Sequence, residues 1–254
     1  MSAHEFAARL RGRERLLGYW SVLDSPVSTE WLAHVGWDYL ALDLQHGLIG
    51  YSGMVAGLTA IDAAGSTVGM VRVEANDATA IGRALDAGAA GVIVPMVNNA
   101  AEAAKAVAAA TYPPTGIRSY GPMRSQLRIG PLPADADRDT VVLAMIETPD
   151  GLANVEDICG VAGLEGVYVG PSDLRLAIGG TSSQDPAVDD EFEAALQRVR
   201  EAAAAKGIAA GIHTADGATA ARRLAEGFTF ATVASDLVHL KIASAAHLKA
   251  ATGN

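Results

Sequence analysis

Short, largely continuous apolar runs recur along the chain, each followed by a more polar, Ala-rich stretch. Eight stand out: LLGYWSVL (16–23), WDYLALDL (37–44), TVGMVRV (67–73), GVIVPM (91–96), VVLAMIE (141–147), GVYVG (166–170), IAAGIHT (208–214) and FTFATVAS (228–235). A strand covered on both faces of a parallel sheet reads this way. Between the runs, DATAIGRALDAG, NAAEAAKAVAAAT, DGLANVEDICG, DEFEAALQRVREAAAAKG and DGATAARRLAEG read as helices. Several open on Asp or Asn and close on Gly, the cap residues at their expected ends.

Eight strands alternating with helices within 254 residues predict a (β/α)8 barrel, organised as one domain over 1–254. An open doubly wound sheet is the alternative, but no G-x-G-x-x-G loop or Walker-type pattern follows any strand. Segments 111–140 and 179–188 exceed ordinary connections, and loops of that length usually carry function or subunit contacts.

In such a barrel the chemistry collects at the C-terminal ends of the strands. The second run ends in Asp43, Gln45 and His46, the third in Arg72, the fifth in Glu147, and the sixth is followed by Ser172 and Asp173; Trp20 closes the first and His213 the seventh. Glu147 and Asp173 leave neighbouring strands, so their carboxylates are expected to converge over the barrel mouth. Two carboxylates, with water and substrate completing the shell, suit Mg²⁺ or Mn²⁺. The competing reading is that one of them caps a helix, because ETPDG and PSDL both open helical segments. Arg72 beside two acids suits gripping an oxyanion, the alternative being a structural pair with Glu74 or Asp86. His46 beside Asp43 offers a base with an orienting carboxylate.

Composition narrows the partners. The formal charge is -10, from 19 basic against 29 acidic residues, with no basic run, which disfavours nucleic acid and anionic membranes as partners. Cys159 stands alone, so no internal disulfide forms, and it reads as a small buried hydrophobe. The N-terminal stretch carries no secretory h-region and no apolar stretch reaches a membrane span, so a cytoplasmic location is expected.

The ordered set WDYLALDLQHG, VRVEANDATAIGRALDAGAAGVIVPMVNNAAEA, TYPPTGIRS, IETPDGLANVEDI and GVYVGPSDL resembles the HpcH/HpaI aldolase family, the metal-dependent class II pyruvate aldolases, over nearly the whole chain. The resemblance implies that Glu147 and Asp173 bind a divalent cation, Mg²⁺, Mn²⁺ or Co²⁺, that chelates pyruvate, and that Arg72 stabilises the enolate oxygen. It implies that His46, supported by Asp43 and by Asp86 of LDAG, moves protons. It also implies that the GPSD segment, Gly170, Pro171, Ser172 and Asp173, holds the pyruvate carboxylate through its backbone N–H groups, with Trp20 walling the pocket. The implied reaction is reversible cleavage of a 4-hydroxy-2-oxo acid to pyruvate and an aldehyde. A citrate-lyase-like enzyme acting on an acyl-CoA is the alternative, with Arg118, Arg124 and Arg175 as candidate contacts, and a non-catalytic oxo-acid-binding barrel comes last. Relatives assemble as trimers or hexamers with exchanged C-terminal helices, so a homo-oligomer is implied. The chain departs from the family pattern at Met145, where Gln is common, at Gln45, where an acid is common, and at Arg175 in the stretch after GPSDL.

Overall fold

All eight apolar runs form strands, and their order in space is their order in sequence. The computed structural model describes residues 1–253, in which β1 (Leu16–Ser21), β2 (Tyr39–Asp43), β3 (Val68–Arg72), β4 (Gly91–Val94), β5 (Val141–Ile146), β6 (Gly166–Val169), β7 (Ala209–Thr214) and β8 (Phe230–Ser235) close into a parallel barrel. Twelve α-helices surround it: α1 (Ala3–Arg11), α2 (Pro26–Ala33), α3 (Tyr51–Ala64), α4 (Ala78–Asp86), α5 (Ala100–Ala110), α6 (Pro133–Asp139), α7 (Pro149–Ala153), α8 (Val155–Cys159), α9 (Pro171–Ala177), α10 (Asp189–Lys206), α11 (Gly217–Ala225) and α12 (Asp236–Thr252). The open-sheet alternative is thereby excluded.

The expected caps are present. Asp77 accepts from Thr79 and Ala80, Asn99 from Glu102 and Asp216 from Thr219, while Gly207 closes α10 in the left-handed region. The expected single helix over DGLANVEDICG is two, α7 and α8. Asn154 leaves helical geometry between them, and its side-chain amide donates to the carbonyl of Asn98.

Two apolar layers follow from the strand geometry. One lies between strands and helices, and the other fills the barrel with side chains such as Leu16, Tyr39, Met70, Ile93, Leu143, Tyr168 and Phe230. Inside the barrel, Tyr39 and Tyr168 both hydrogen-bond Thr232 Oγ1, at 2.6 and 2.8 Å, so the two buried phenols share one hydroxyl. Helix α1 closes the end where the strands begin, packing Phe6 against Tyr39 with ring centroids 5.8 Å apart.

Segment 111–140 connects α5 to β5 and therefore lies at this closed end, away from the strand exits. Arg124 donates there to the carbonyl of Ala87 and pairs with Asp62, and Arg118 pairs with Asp86. At the opposite end of the chain, α12 buries only its first residue, Asp236, and leaves Leu237, Val238, Leu240, Ile242 and Leu248 exposed. The family resemblance implies exchange of this helix between subunits; the single chain carries its unpartnered apolar face. Among the described residues no helix is long and apolar enough to cross a membrane.

A Cβ on Gly18 would stand inside the Tyr39 ring, and that ring is pinned by its bond to Thr232. Gly18→Ala is therefore expected to lower the unfolding free energy by about 1–3 kcal/mol or more. Urea denaturation checks this as a lower midpoint at unchanged slope.

Candidate active site

Strands β2 and β3 pair so that Asp43 lies directly beside Arg72. The guanidinium takes the carboxylate with both arms, Nε donating to Oδ1 at 2.8 Å and Nη2 to Oδ2 at 2.6 Å. Asp43 also accepts from Trp20 Nε1 at 3.2 Å and from the backbone N–H groups of Gln45 and His46 at 3.0 and 3.2 Å. Burial alone would raise the Asp43 pKa, but the hydrogen bonds and charge of Arg72, with the His46 amide and Trp20, outweigh it and hold the carboxyl below its ordinary value. The guanidinium also sits over the Trp20 ring, 5.0 Å from its centroid.

This corrects the expected role of Asp43. It was expected to orient the His46 imidazole, yet its oxygens are taken by Arg72, Trp20 and two backbone amides. The chain after β2 turns back on Asp43 in an Asx-type turn, which fixes the backbone of His46 and leaves its side chain exposed at the mouth. Among the described residues the imidazole has no hydrogen-bond partner. Arg72, in turn, pairs with neither Glu74 nor Asp86.

Glu147 follows β5 and is 2% exposed. Its Oε1 accepts the Met96 N–H at 2.8 Å, whereas Oε2 is buried with no partner among the described residues. Burial and the nearby negative charge of Asp173 raise its pKa against the opposing effects of the Met96 amide and Arg72. Neither acid caps a helix: Thr148 caps α7 through its hydroxyl and Gly170 occupies the cap position of α9. The capping alternative thus fails, and two carboxylates remain together with no hydrogen-bond use for Oε2. A Cβ on Gly170 would stand 2.5 Å from that oxygen, so only glycine leaves the position open. Among the described residues no three His, Cys, Asp or Glu side chains gather in metal-ligating array.

A cavity of about 170 Å³ opens at the strand exits, lined by Trp20, His46, Arg72, Met145, Tyr168, Gly170, Pro171, Ser172, Asp173 and His213. Most of the sequence-predicted site residues meet here, with Glu147 just behind Gly170. Apolar surface makes up the floor, because Tyr168 turns its hydroxyl down to Thr232 and Trp20 spends its N–H on Asp43. His213 stands edge-on to Trp20 with ring centroids 5.3 Å apart, and burial with the charge of Arg72 pushes its pKa down to about 4.

Asp86 is not part of this group within the chain. As the last residue of α4 it lies at the closed end of the barrel, 2.9 Å from Arg118, in a separate concavity with Thr79, Arg83 and Ile117. A helix returns antiparallel to its strand, so its C-terminus cannot share the strand exits. Sequence reasoning missed Tyr168 and Met96. Inward position on β6 was a weak signal for the first, but nothing in the sequence marks a backbone amide that serves a carboxylate.

Residues 16–243 match the HpcH/HpaI aldolase/citrate lyase family. A hydroxypyruvate/pyruvate aldolase from Rhizorhabdus wittichii is 42% identical over 237 residues, covering 92% of each chain. A 5-keto-4-deoxy-D-glucarate aldolase from Enterobacter is 36% identical over 92% of this chain and 91% of its own. Among solved structures, a family protein from Burkholderia cenocepacia superposes with a TM-score of 0.86 at 30% identity, covering 98% of this chain and 99% of its own. The chain belongs to the HpcH/HpaI aldolase/citrate lyase family.

Proposed function

We propose that the chain is a divalent-cation-dependent lyase that reversibly cleaves a 4-hydroxy-2-oxo acid to pyruvate, or a related 2-oxo acid, and an aldehyde. The observation that carries this reading is the unpartnered Oε2 of Glu147, buried near Asp173 at the edge of a cavity that also holds Arg72. A buried carboxylate oxygen without a donor is costly, and a cation shared with Asp173 removes that cost. Glu147 and Asp173 would hold Mg²⁺, Mn²⁺ or Co²⁺, which supplies Lewis-acid polarisation of the 2-oxo group.

The side chains of this chain then divide the remaining work. Cleavage removes the proton of the 4-hydroxyl, breaks the bond between C3 and C4, and sends the electron pair to the 2-oxygen. His46, exposed at the mouth and lining the cavity, takes that proton directly or through water and returns one to C3. Arg72 meets the charge on the 2-oxygen; Asp43 engages its Nε and Nη2, while Nη1 has no protein partner among the described residues. Asp43 itself acts by fixing Arg72 and the turn that carries His46. The amides of Ser172 and Asp173 precede the first intrahelical bond of α9, from Leu174 N to the Gly170 carbonyl at 3.0 Å, and are free to hold a substrate carboxylate. Gly170 and Pro171 shape that edge without blocking it, and Trp20 walls the pocket.

The acyl-CoA alternative loses its candidate contacts. Arg118 is committed to Asp86, Arg124 to Asp62 and the Ala87 carbonyl, and Arg175 to Asp189 and the Asp185 carbonyl. Similar proteins named as aldolases at 42% and 36% identity support the aldol reading as well.

Purified protein supplied with Mg²⁺, Mn²⁺ or Co²⁺ is expected to release pyruvate from 4-hydroxy-2-oxo acids. A chelator should stop the release, and Glu147→Ala should lose cation binding and turnover together while staying folded. Release of equal rate in chelator would refute the cation-dependent reading.

His213 makes a prediction with a definite sign. Its folded pKa of about 4 lies below the ordinary 6.5, so between those values the unfolded chain binds a proton that the folded one does not. Stability is therefore lost as pH falls through that window and is unaffected above it. Denaturation series at pH 7 and pH 4.5 should show a smaller loss in His213→Phe than in the wild type; an equal loss would contradict the placement of His213.

A further inference from the structure

Met96 is one of three non-glycine residues among those described whose backbone lies in the left-handed region, with φ of 56°. Nothing about its side chain asks for that conformation, since the side chain is half exposed and reaches no polar group. Its peptide groups are another matter. The Met96 N–H donates to Glu147 Oε1 at 2.8 Å, and the Met96 carbonyl accepts from the Asn98 side-chain amide at 2.9 Å. Asn98 in turn accepts from the hydroxyl of Thr148, the residue after Glu147, at 2.7 Å. The turn after β4 is thus tied at both ends to the turn after β5.

We propose that Met96 is a positioning residue: its left-handed backbone aims the N–H at Glu147 Oε1, fixing the carboxylate so that Oε2 is left free for a divalent cation. The Met96 amide holds Oε1, while Gly170, having no Cβ, leaves open the space beside Oε2, from which a Cβ there would stand 2.5 Å. Extended backbone at Met96 would swing the chain beyond it away, parting Asn98 from Thr148 and undoing the tie that keeps the turn, and its N–H, against Glu147. The sequence constraint is therefore on backbone geometry, to be met by any residue that tolerates positive φ. The inference rests on the reading of Glu147 as a cation ligand, and the experiment separates the two.

Mn²⁺ affinity of the full-length protein, read by electron paramagnetic resonance of free Mn²⁺, is the first measurement. Met96→Gly keeps the amide and favours the left-handed region, and its affinity is expected to stay within about threefold of wild type. Met96→Val disfavours that region, and loss of the supporting contact is expected to weaken binding about 10–100-fold. A folded Met96→Val protein with wild-type affinity would overturn the proposal. Wild-type protein that binds no Mn²⁺ would instead overturn the cation reading.

A second measurement does not depend on the valine variant folding. Backbone labelling with ¹⁵N-methionine gives amide signals from the five methionines that follow Met1, and the Met96 signal is the one lost in Met96→Gly. Its amide proton should lie downfield in the wild type and move upfield in Glu147→Ala. An unchanged position would show that the amide does not serve Glu147, whatever the fate of the cation.

Discussion

The site depends on one buried ion pair. Asp43 and Arg72 face each other across β2 and β3, and the carboxylate gathers five donors from Arg72, Trp20, Gln45 and His46. Through those bonds it sets the angle of the guanidinium over the cavity, fixes the indole that walls it, and folds back the turn that carries His46. Removing charges from water costs more than a pair of this kind commonly returns in stability, so its presence argues for a task at the mouth of the barrel. A guanidinium held by two parallel bonds presents its remaining donors in one fixed direction, which suits charge that develops at a known place.

A second arrangement of charge complements the first. Asp43 is satisfied and held ionised by a cation from the protein, whereas Glu147 and Asp173 are two acids with no such partner and one buried oxygen unpaired. The barrel thus places a supplied positive charge on β3 and a demand for one between β5 and β6, about the same small cavity. A 2-oxo acid bound between them would meet a donor on one side and the two carboxylates, the proposed cation ligands, on the other. The apolar floor of Trp20, Tyr168 and Met145 keeps the number of competing polar groups small.

Much of this was legible in the sequence because parallel strands buried on both faces are continuous apolar runs, and all eight were found that way. Once the barrel was inferred, strand ends pointed to Asp43, His46, Arg72, Glu147 and Asp173. What could not be read is what each side chain touches. Adjacent positions in sequence suggested that Asp43 serves His46, but the register of β2 on β3 gives it to Arg72. The family pattern associates Asp86 with His46, whereas within the chain helix direction places it at the closed end with Arg118. The amide of Met96 was invisible because its effect lies in a backbone angle, for which a methionine gives no sign.

Deuterium exchange into the methyl group of pyruvate, followed by proton NMR, tests the central claim most directly because it needs no aldehyde. The account predicts exchange that requires a divalent cation and falls about 100-fold or more in Asp43→Asn, which keeps the shape but loosens the hold on Arg72. Exchange at the wild-type rate in folded Asp43→Asn, or in the presence of chelator, would contradict it.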